Sequence, residues 1–481
     1  MEGSNMADYR IFALLKATPD LRAIYPDLSQ LTAYSYSLFN KAPYNQFATV
    51  NLSGSFEAVG APSLEWTHAP AGAGGTSTVY TGGRDLTELV VSYRFTDPVR
   101  VKEFIGLVGN ALAADPTADI RNVGADVGVG GSDHWCPGVA RAAMFRDRAA
   151  ARRTINAAAL GPNFSGQRVN VVIIDEGLNQ AALGANWGDG LDWVQSNGPL
   201  VLRGTAQRTS HGMMIARSIL DLAPNAKLFD LPLLPERIAK VDPYIGTSAN
   251  TSSAFSAYAA LFACIAGWHT HGFPGPWVLV NAWAIYDRSS EAAAGNYTEN
   301  NALTSTTLDH PFIQQVKAAA NGHNFDVIFA AGNCGVFCPR IRCGGRDRGN
   351  HNSIWGANAL REVITAGAVR TDEKWIGYSS QGPGPSVNGL EHDKPDLCAP
   401  SNFHETDDAH VVNSGTSASC AMTAGVVAAL RSNPQWNQTL VPPSAMRTAL
   451  INGARKTQGP AWNERLGYGI LDVAGTIPLL P

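Results

Sequence analysis

From residue 169 onward, short apolar runs alternate with longer stretches of helical character. The runs Val169–Ile174, Lys227–Leu231, Trp277–Val280, Asp326–Ala331 and Val363–Val369 are strand-length and almost continuously apolar. Such runs fit strands buried on both faces. Between and after them, Gly212–Leu220, Ala254–Trp268, Pro311–Asn321, Thr416–Leu430 and Ser444–Ala454 read as helices. The alternation predicts an α/β fold with a parallel sheet covered by helices on both faces. In such sheets functional groups gather at the carboxyl ends of the strands.

The chain ahead of this region is patterned differently. Residues 1–80 are irregular, with a helix expected near Ile11–Leu15 and a loop at Ala69–Gly75. Leu89–Phe95 reads as a strand, and Asp97-Pro98 opens a helix whose apolar face is Val101, Phe104, Ile105, Val108 and Leu112. A further strand is expected near Ile120–Val129. The predicted organisation is an irregular region (1–80), a small α+β, ferredoxin-like domain (81–135), a linker (136–165) and a large α/β domain (166–481).

Composition narrows the function. The 481 residues are 45% hydrophobic and 16% charged, which suits a globular chain with a large core. A net charge of -4 gives no reason to invoke nucleic acid or an anionic membrane. No apolar run approaches the ~18 residues of a membrane span. The segment Met1–Met6 shows no basic stretch followed by an apolar one, so no signal peptide is read; a cytoplasmic and a leader-trimmed secreted protein both fit.

Four polar residues stand at strand ends or helix starts. Asp175 ends the run Val171–Ile174 and is followed by Glu176-Gly177. His211 opens an apolar helix after Ser210 and before Gly212. Asn333 follows Val327–Gly332, and Ser417 lies in Ser414-Gly415-Thr416-Ser417-Ala418-Ser419 at the head of a small-residue helix. Each alone fits a turn or a cap. Together they supply an acid, a base, an amide donor and a nucleophile; the backbone N–H and helix dipole at Ser417 would favour a developing oxyanion.

The order Asp, His, Asn, Ser and the sequences around them resemble the subtilisin-like serine peptidases (subtilases, peptidase family S8). The resemblance covers roughly residues 165–475. It extends through Ala223–Ala226, Ile364–Val369, Tyr378–Pro383, Lys394–Pro400 and Gly467–Asp472. It implies a subtilisin-like fold and a serine endopeptidase with Asp175, His211 and Ser417 as catalytic triad and Asn333 in the oxyanion hole. It further implies an extended protein or peptide substrate paired with Trp283, Ala284 and Ile285 and with Ala330, Ala331 and Gly332. No cofactor is required for catalysis; structural calcium occurs in the family, but no ligand set maps onto this chain. The N-terminal α+β region is similar to the inhibitory propeptides of many subtilases, which implies a zymogen processed between about Ala125 and Gln167. Competing readings are a silent subtilase-fold binding or regulatory module, and a transpeptidase or macrocyclase. Gly415–Ser419 is also similar to the sedolisins, but the His211 block and Asn333 favour the subtilases.

The sequence departs from the family pattern in places. Trp283 replaces a small polar residue near the expected cleft, so a bulky wall is predicted there. Residues 334–354 form an insertion after Asn333 carrying Cys334, Cys338, Cys343, His351, Arg340, Arg342, Arg346 and Arg348. A disulfide, a zinc site or free thiols all fit those cysteines, and the arginines suggest a bias toward acidic substrates. Cys264, Cys398 and Cys420 lie in apolar stretches and read as buried thiols.

Overall fold

The computed structural model describes residues 9–16, 66–68, 78–80, 88–95, 98–115, 120–131, 144–194, 200–235, 249–288, 310–337, 339–340, 342–385, 393–405, 412–456, 459 and 461–481. Its first part holds strand β1 (Tyr9–Lys16), strand β2 (Glu88–Phe95), helix α1 (Pro98–Ala114), strands β3 (Ile120–Ala125) and β4 (Gly128–Gly131), and helix α2 (Arg148–Thr154). Next come β5 (Asn170–Ile174), β6 (Trp187–Gly190), α3 (His211–Leu222), β7 (Lys227–Leu231), β8 (Ala249–Asn250) and α4 (Thr251–Thr270). The remainder comprises β9 (Trp277–Asn281), β10 (Trp283–Ile285), α5 (Pro311–Lys317), β11 (Asp326–Ala330), β12 (Ile364–Val369), β13 (Leu397–Pro400), α6 (Gly415–Arg431) and α7 (Pro443–Gly453).

Seven strands form one sheet in the order β13-β12-β11-β9-β5-β7-β6. Every neighbouring pair in it is parallel, as expected of an α/β fold. Successive side chains of a strand point to opposite faces, and here both faces are covered. Val171 and Ile173 enter one core with α3 and α6, while Val172 and Ile174 enter the other with α4 and α5. That explains the unbroken apolar runs. Two strands escaped the periodicity reading because they are short and mixed in character, β6 with two glycines and an aspartate, and β13 inside Lys394–Pro400.

Helix α6 is buried along its whole length. Its polar residues are satisfied locally: Ser419 Oγ donates to the Ala399 carbonyl at 2.7 Å, and Thr423 Oγ1 to the Ser419 carbonyl at 2.8 Å. At its far end Arg431 makes two bonds to Asp326 at the start of β11, 2.6 and 2.7 Å, with both side chains fully buried. The helix carrying Ser417 is thereby tied to the strand that leads to Asn333.

Two expectations for the first part need correction. Ile11–Leu15 is not helical: it lies in β1, the central strand of a three-stranded antiparallel sheet ordered β2-β1-β3. Its local sequence alternates poorly, and pairing on both sides overrides propensity. Part of the expected linker 136–165 belongs to the main body, since Ala151, Ile155 and Ala157 are fully buried in the α3/α6 core. The expected strand near Ile120–Val129 divides at Asp126-Val127 into β3 and β4. Helix α1 is present as read, with Phe104 and Val108 buried. The expected loop Ala69–Gly75 lies outside the described residues.

Candidate active site

Strands β11, β9 and β5 lie side by side, and their carboxyl ends converge on the starts of α3 and α6. Asp175 follows β5 directly. Its Oδ1 lies 2.6 Å from His211 Nδ1 and also accepts the Glu176 N–H at 2.8 Å. The two side chains of the Asp–His pair are 0% and 1% exposed.

The sequence around His211 explains its placement. Ser210 caps α3, accepting the Met213 N–H at 3.2 Å and donating to the Gly177 carbonyl at 2.9 Å. A Cβ on Gly212 would collide with that same Gly177 carbonyl, so glycine lets the helix start against the turn after Asp175. Glu176 Oε2 accepts the His211 N–H at 3.1 Å, a carboxylate at a helix N-terminus. Sequence reasoning passed over Glu176; its adjacency to Asp175 was the available signal.

Asn333 and Ser417 are brought together through Thr416. Asn333 Oδ1 accepts both the N–H and the hydroxyl of Thr416, each at 3.0 Å. The turn before Ser417 is held from behind: Tyr378 Oη accepts the Gly415 N–H at 2.9 Å, and Ser401 Oγ donates to the Gly415 carbonyl at 2.7 Å. Ser417 Oγ donates to the Ala282 carbonyl at 3.0 Å, just beyond β9. Asp230, on β7, also neighbours Asp175. Burial raises its carboxyl to about 7, helped by the charges of Asp175 and Asp192, although the Leu178 and Gly204 N–H groups donate to it at 3.1 and 2.8 Å.

The expected substrate residues divide. Trp283–Ile285 forms β10, paired antiparallel with β4, which lies between β10 and β8. The partners are Trp283 with Gly131, Ala284 with Gly130 and Ile285 with Val129. Ala331 N donates to Ala366, Gly332 N to Thr416 Oγ1, and the Gly332 carbonyl accepts from Ser380 N. The backbone of Ala330–Gly332 is thus largely committed within the protein. Trp283 does not wall the cleft. Its ring is 1% exposed, donates to the Ile174 carbonyl at 3.0 Å and packs on Phe312 and Phe329. Strand alternation sends Ala284 and Tyr286 to the other side, against Cys334 and Cys343.

Those two cysteines form a disulfide, so a zinc site of three cysteines and a histidine is not what they build. Among the described residues no group of three or more His, Cys, Asp or Glu side chains could hold a metal ion. Cys338 lies outside the described residues. Cys264, Cys398 and Cys420 are free thiols; Cys398 and Cys420 are buried, which pushes both upward, and Cys264 is raised to about 12. No helix among the described residues is long and apolar enough to cross a membrane.

A parallel α/β sheet thus carries an acid–imidazole pair, an asparagine and a helix-start serine near the carboxyl ends of its strands. In agreement, residues 276–469 match the model of the subtilase family, a family of serine peptidases. The matched segment contains Asn333 and Ser417, whereas Asp175 and His211 lie upstream of it. Among solved structures, the chain is similar to the crystal structure of MycP1 from the ESX-1 type VII secretion system. The two are 18% identical, the match covers 73% of this chain and 90% of that one, and the TM-score is 0.44. No curated protein matches the chain.

Proposed function

We propose that the protein is a serine endopeptidase with Asp175, His211 and Ser417 as its triad. The observation that carries the reading is the buried 2.6 Å Asp175–His211 pair on the sheet edge that also bears Ser417. Ser417 Oγ turns from the Ala282 carbonyl toward His211 Nε2, gives up its proton and attacks the scissile carbonyl. Asp175 holds the imidazole in the tautomer whose Nε2 accepts that proton, and stabilises the imidazolium. Because Asn333 Oδ1 is engaged by Thr416, its NH2 group is oriented to join the Ser417 N–H at the oxyanion. The protonated imidazole then protonates the leaving amine, and water releases the acyl group.

The same reading makes the chain a zymogen. An extended substrate would add a strand beside β10, and β4 of the N-terminal part already occupies that edge. On this reading the cut lies in the expected span from about Ala125 to Gln167, and the pairing of Gly131 with Trp283 favours its part downstream of Gly131. The test is a fluorophosphonate probe on wild type and Ser417→Ala, with intact mass measured over time. Ser417-dependent labelling and loss of the N-terminal part are expected. Equal labelling of both proteins, or of neither, overturns the peptidase reading; an active enzyme that keeps its N-terminus overturns the zymogen.

A further inference from the structure

The loop following Asn333 is tied down at several points. Besides the Cys334–Cys343 disulfide, Gly349 N donates to the Cys334 carbonyl at 2.7 Å, and Gly344 N to the Tyr286 carbonyl at 2.9 Å. Arg340 N donates to the Asn333 carbonyl at 2.9 Å. Its backbone is therefore fixed against both β10 and the oxyanion asparagine.

The loop's four arginines do different things. Arg346 is exposed, and Arg348 folds back onto the Cys343 carbonyl at 2.6 and 3.0 Å. Arg340 and Arg342 instead reach the strand in the cleft. Both guanidinium groups stand over the Tyr286 ring, 5.9 and 4.0 Å from its centroid. With the Tyr286 hydroxyl (3.1 Å) they converge on one atom, the Gly131 carbonyl oxygen, Arg340 Nη1 at 2.9 Å and Arg342 Nη2 closer still. Arg340 and Tyr286 are buried. Two guanidinium groups meeting this strand bring positive charge and hydrogen-bond donors to it, which favours an anionic side chain over a neutral one of the same shape.

The neighbouring residue indicates where that anion would come from. Gly130 pairs with Ala284, and a Cβ built on it would run into Arg342 Nη1. The chain's own strand fits because it has glycine there. A foreign peptide with a side chain at this position must displace the flexible Arg342 head. A carboxylate is compensated for doing so by a charge-assisted hydrogen bond; an isosteric amide is not.

We propose that Arg342 and Arg340, seated on Tyr286, form a specificity subsite for an acidic side chain at the substrate position that pairs with Ala284. This deepens the peptidase reading and rests on it. Two measurements separate the failure of one from that of the other. In the Ser417→Ala chain, which cannot process itself, the strand in the cleft becomes the probe. Gly130→Glu is expected to melt about 1–2 °C above Gly130→Gln, with the difference abolished by Arg342→Ala and reduced at high salt. Equal melting, or a lower value for glutamate, overturns the subsite whether or not the enzyme is active. The second arm uses peptides bearing Glu, Gln, Gly or Lys at this position. A glutamate-over-glutamine ratio in kcat/KM of about tenfold is expected, falling to near unity in Arg342→Ala. Cleavage with no such ratio overturns the subsite and leaves the peptidase standing. No cleavage and no probe labelling overturn the peptidase, and the melting comparison then decides the subsite alone.

Discussion

Replacing Asp175 by asparagine isolates the charge of the acid from its geometry. Oδ1 accepts from His211 and from the Glu176 N–H, whereas Oδ2 is buried without a hydrogen-bond partner. The amide oxygen can therefore keep the Oδ1 place and its two donors, with the NH2 group filling the space of Oδ2. What disappears is the attraction between carboxylate and imidazolium as the proton moves from Ser417. With charge centres about 4 Å apart and an effective dielectric near 20, that attraction is worth about 4 kcal/mol. The expected loss in acylation is about three orders of magnitude. The second-order rate of fluorophosphonate labelling reads it directly, with circular dichroism confirming an intact fold. A rate within about threefold of wild type would refute the electrostatic role assigned to Asp175.

Other perturbations probe the scaffold. Gly212→Ala drives a methyl group into the Gly177 carbonyl, a backbone atom that cannot swing aside; a loss of about 1–3 kcal/mol is expected in urea unfolding, with slower labelling. Arg431→Met strands the buried Asp326 carboxylate and should cost about 3–5 kcal/mol, most of it recovered when Asp326 is also made apolar. Asp230, raised to about 7 from 3.8, holds a proton in the folded chain that the unfolded chain releases between those values. Its stabilising contribution is full below about pH 4 and is lost as pH rises through about 7, a total of a few kcal/mol. Asp230→Asn should flatten urea midpoints across that window, and an unchanged pH slope would count against the assignment.

Much of the main sheet was legible because strands buried on both faces leave an unbroken apolar signature. The expected strands Val169–Ile174, Lys227–Leu231 and Val363–Val369 correspond to Asn170–Ile174, Lys227–Leu231 and Ile364–Val369 of the sheet. The resemblance to subtilases over part of the chain is matched by the family assignment of residues 276–469. What was not legible depends on direction and partners. Trp283 read as a cleft wall because its backbone lies on the edge expected to take substrate, but only the alternation of β10 decides which way its ring points. Arg340 and Arg342 could not be told from Arg346 and Arg348 without the path of the loop. The strand Gly128–Gly131 has no hydrophobic period at all; its order comes from the backbone edges of β8 and β10 on either side.

That last strand is also held by an interaction that makes its retention measurable. Helix α4 has no side-chain cap of its own from Asn250. Its first turn is served instead by the segment leading into β4. Asp126 Oδ1 accepts the Ser252 N–H at 2.9 Å, and the Val127 carbonyl accepts the Thr251 N–H at 2.9 Å. In return the Thr251 hydroxyl accepts from Val127 N at 3.1 Å. A carboxylate at a helix N-terminus is doubly favoured, as hydrogen-bond acceptor and as charge against the dipole. Asp126→Ala removes both and should weaken the hold of the segment by about 1 kcal/mol. The population with an open cleft would rise about fivefold, which the initial labelling rate of the unprocessed chain reports before any cut accumulates. Asp126→Asn, which keeps an acceptor and loses the charge, should fall between the two. If both variants label at the wild-type rate while Gly130→Glu shifts the melting temperature as expected, the strand is fixed by its edges alone and the cap on α4 contributes nothing to latency.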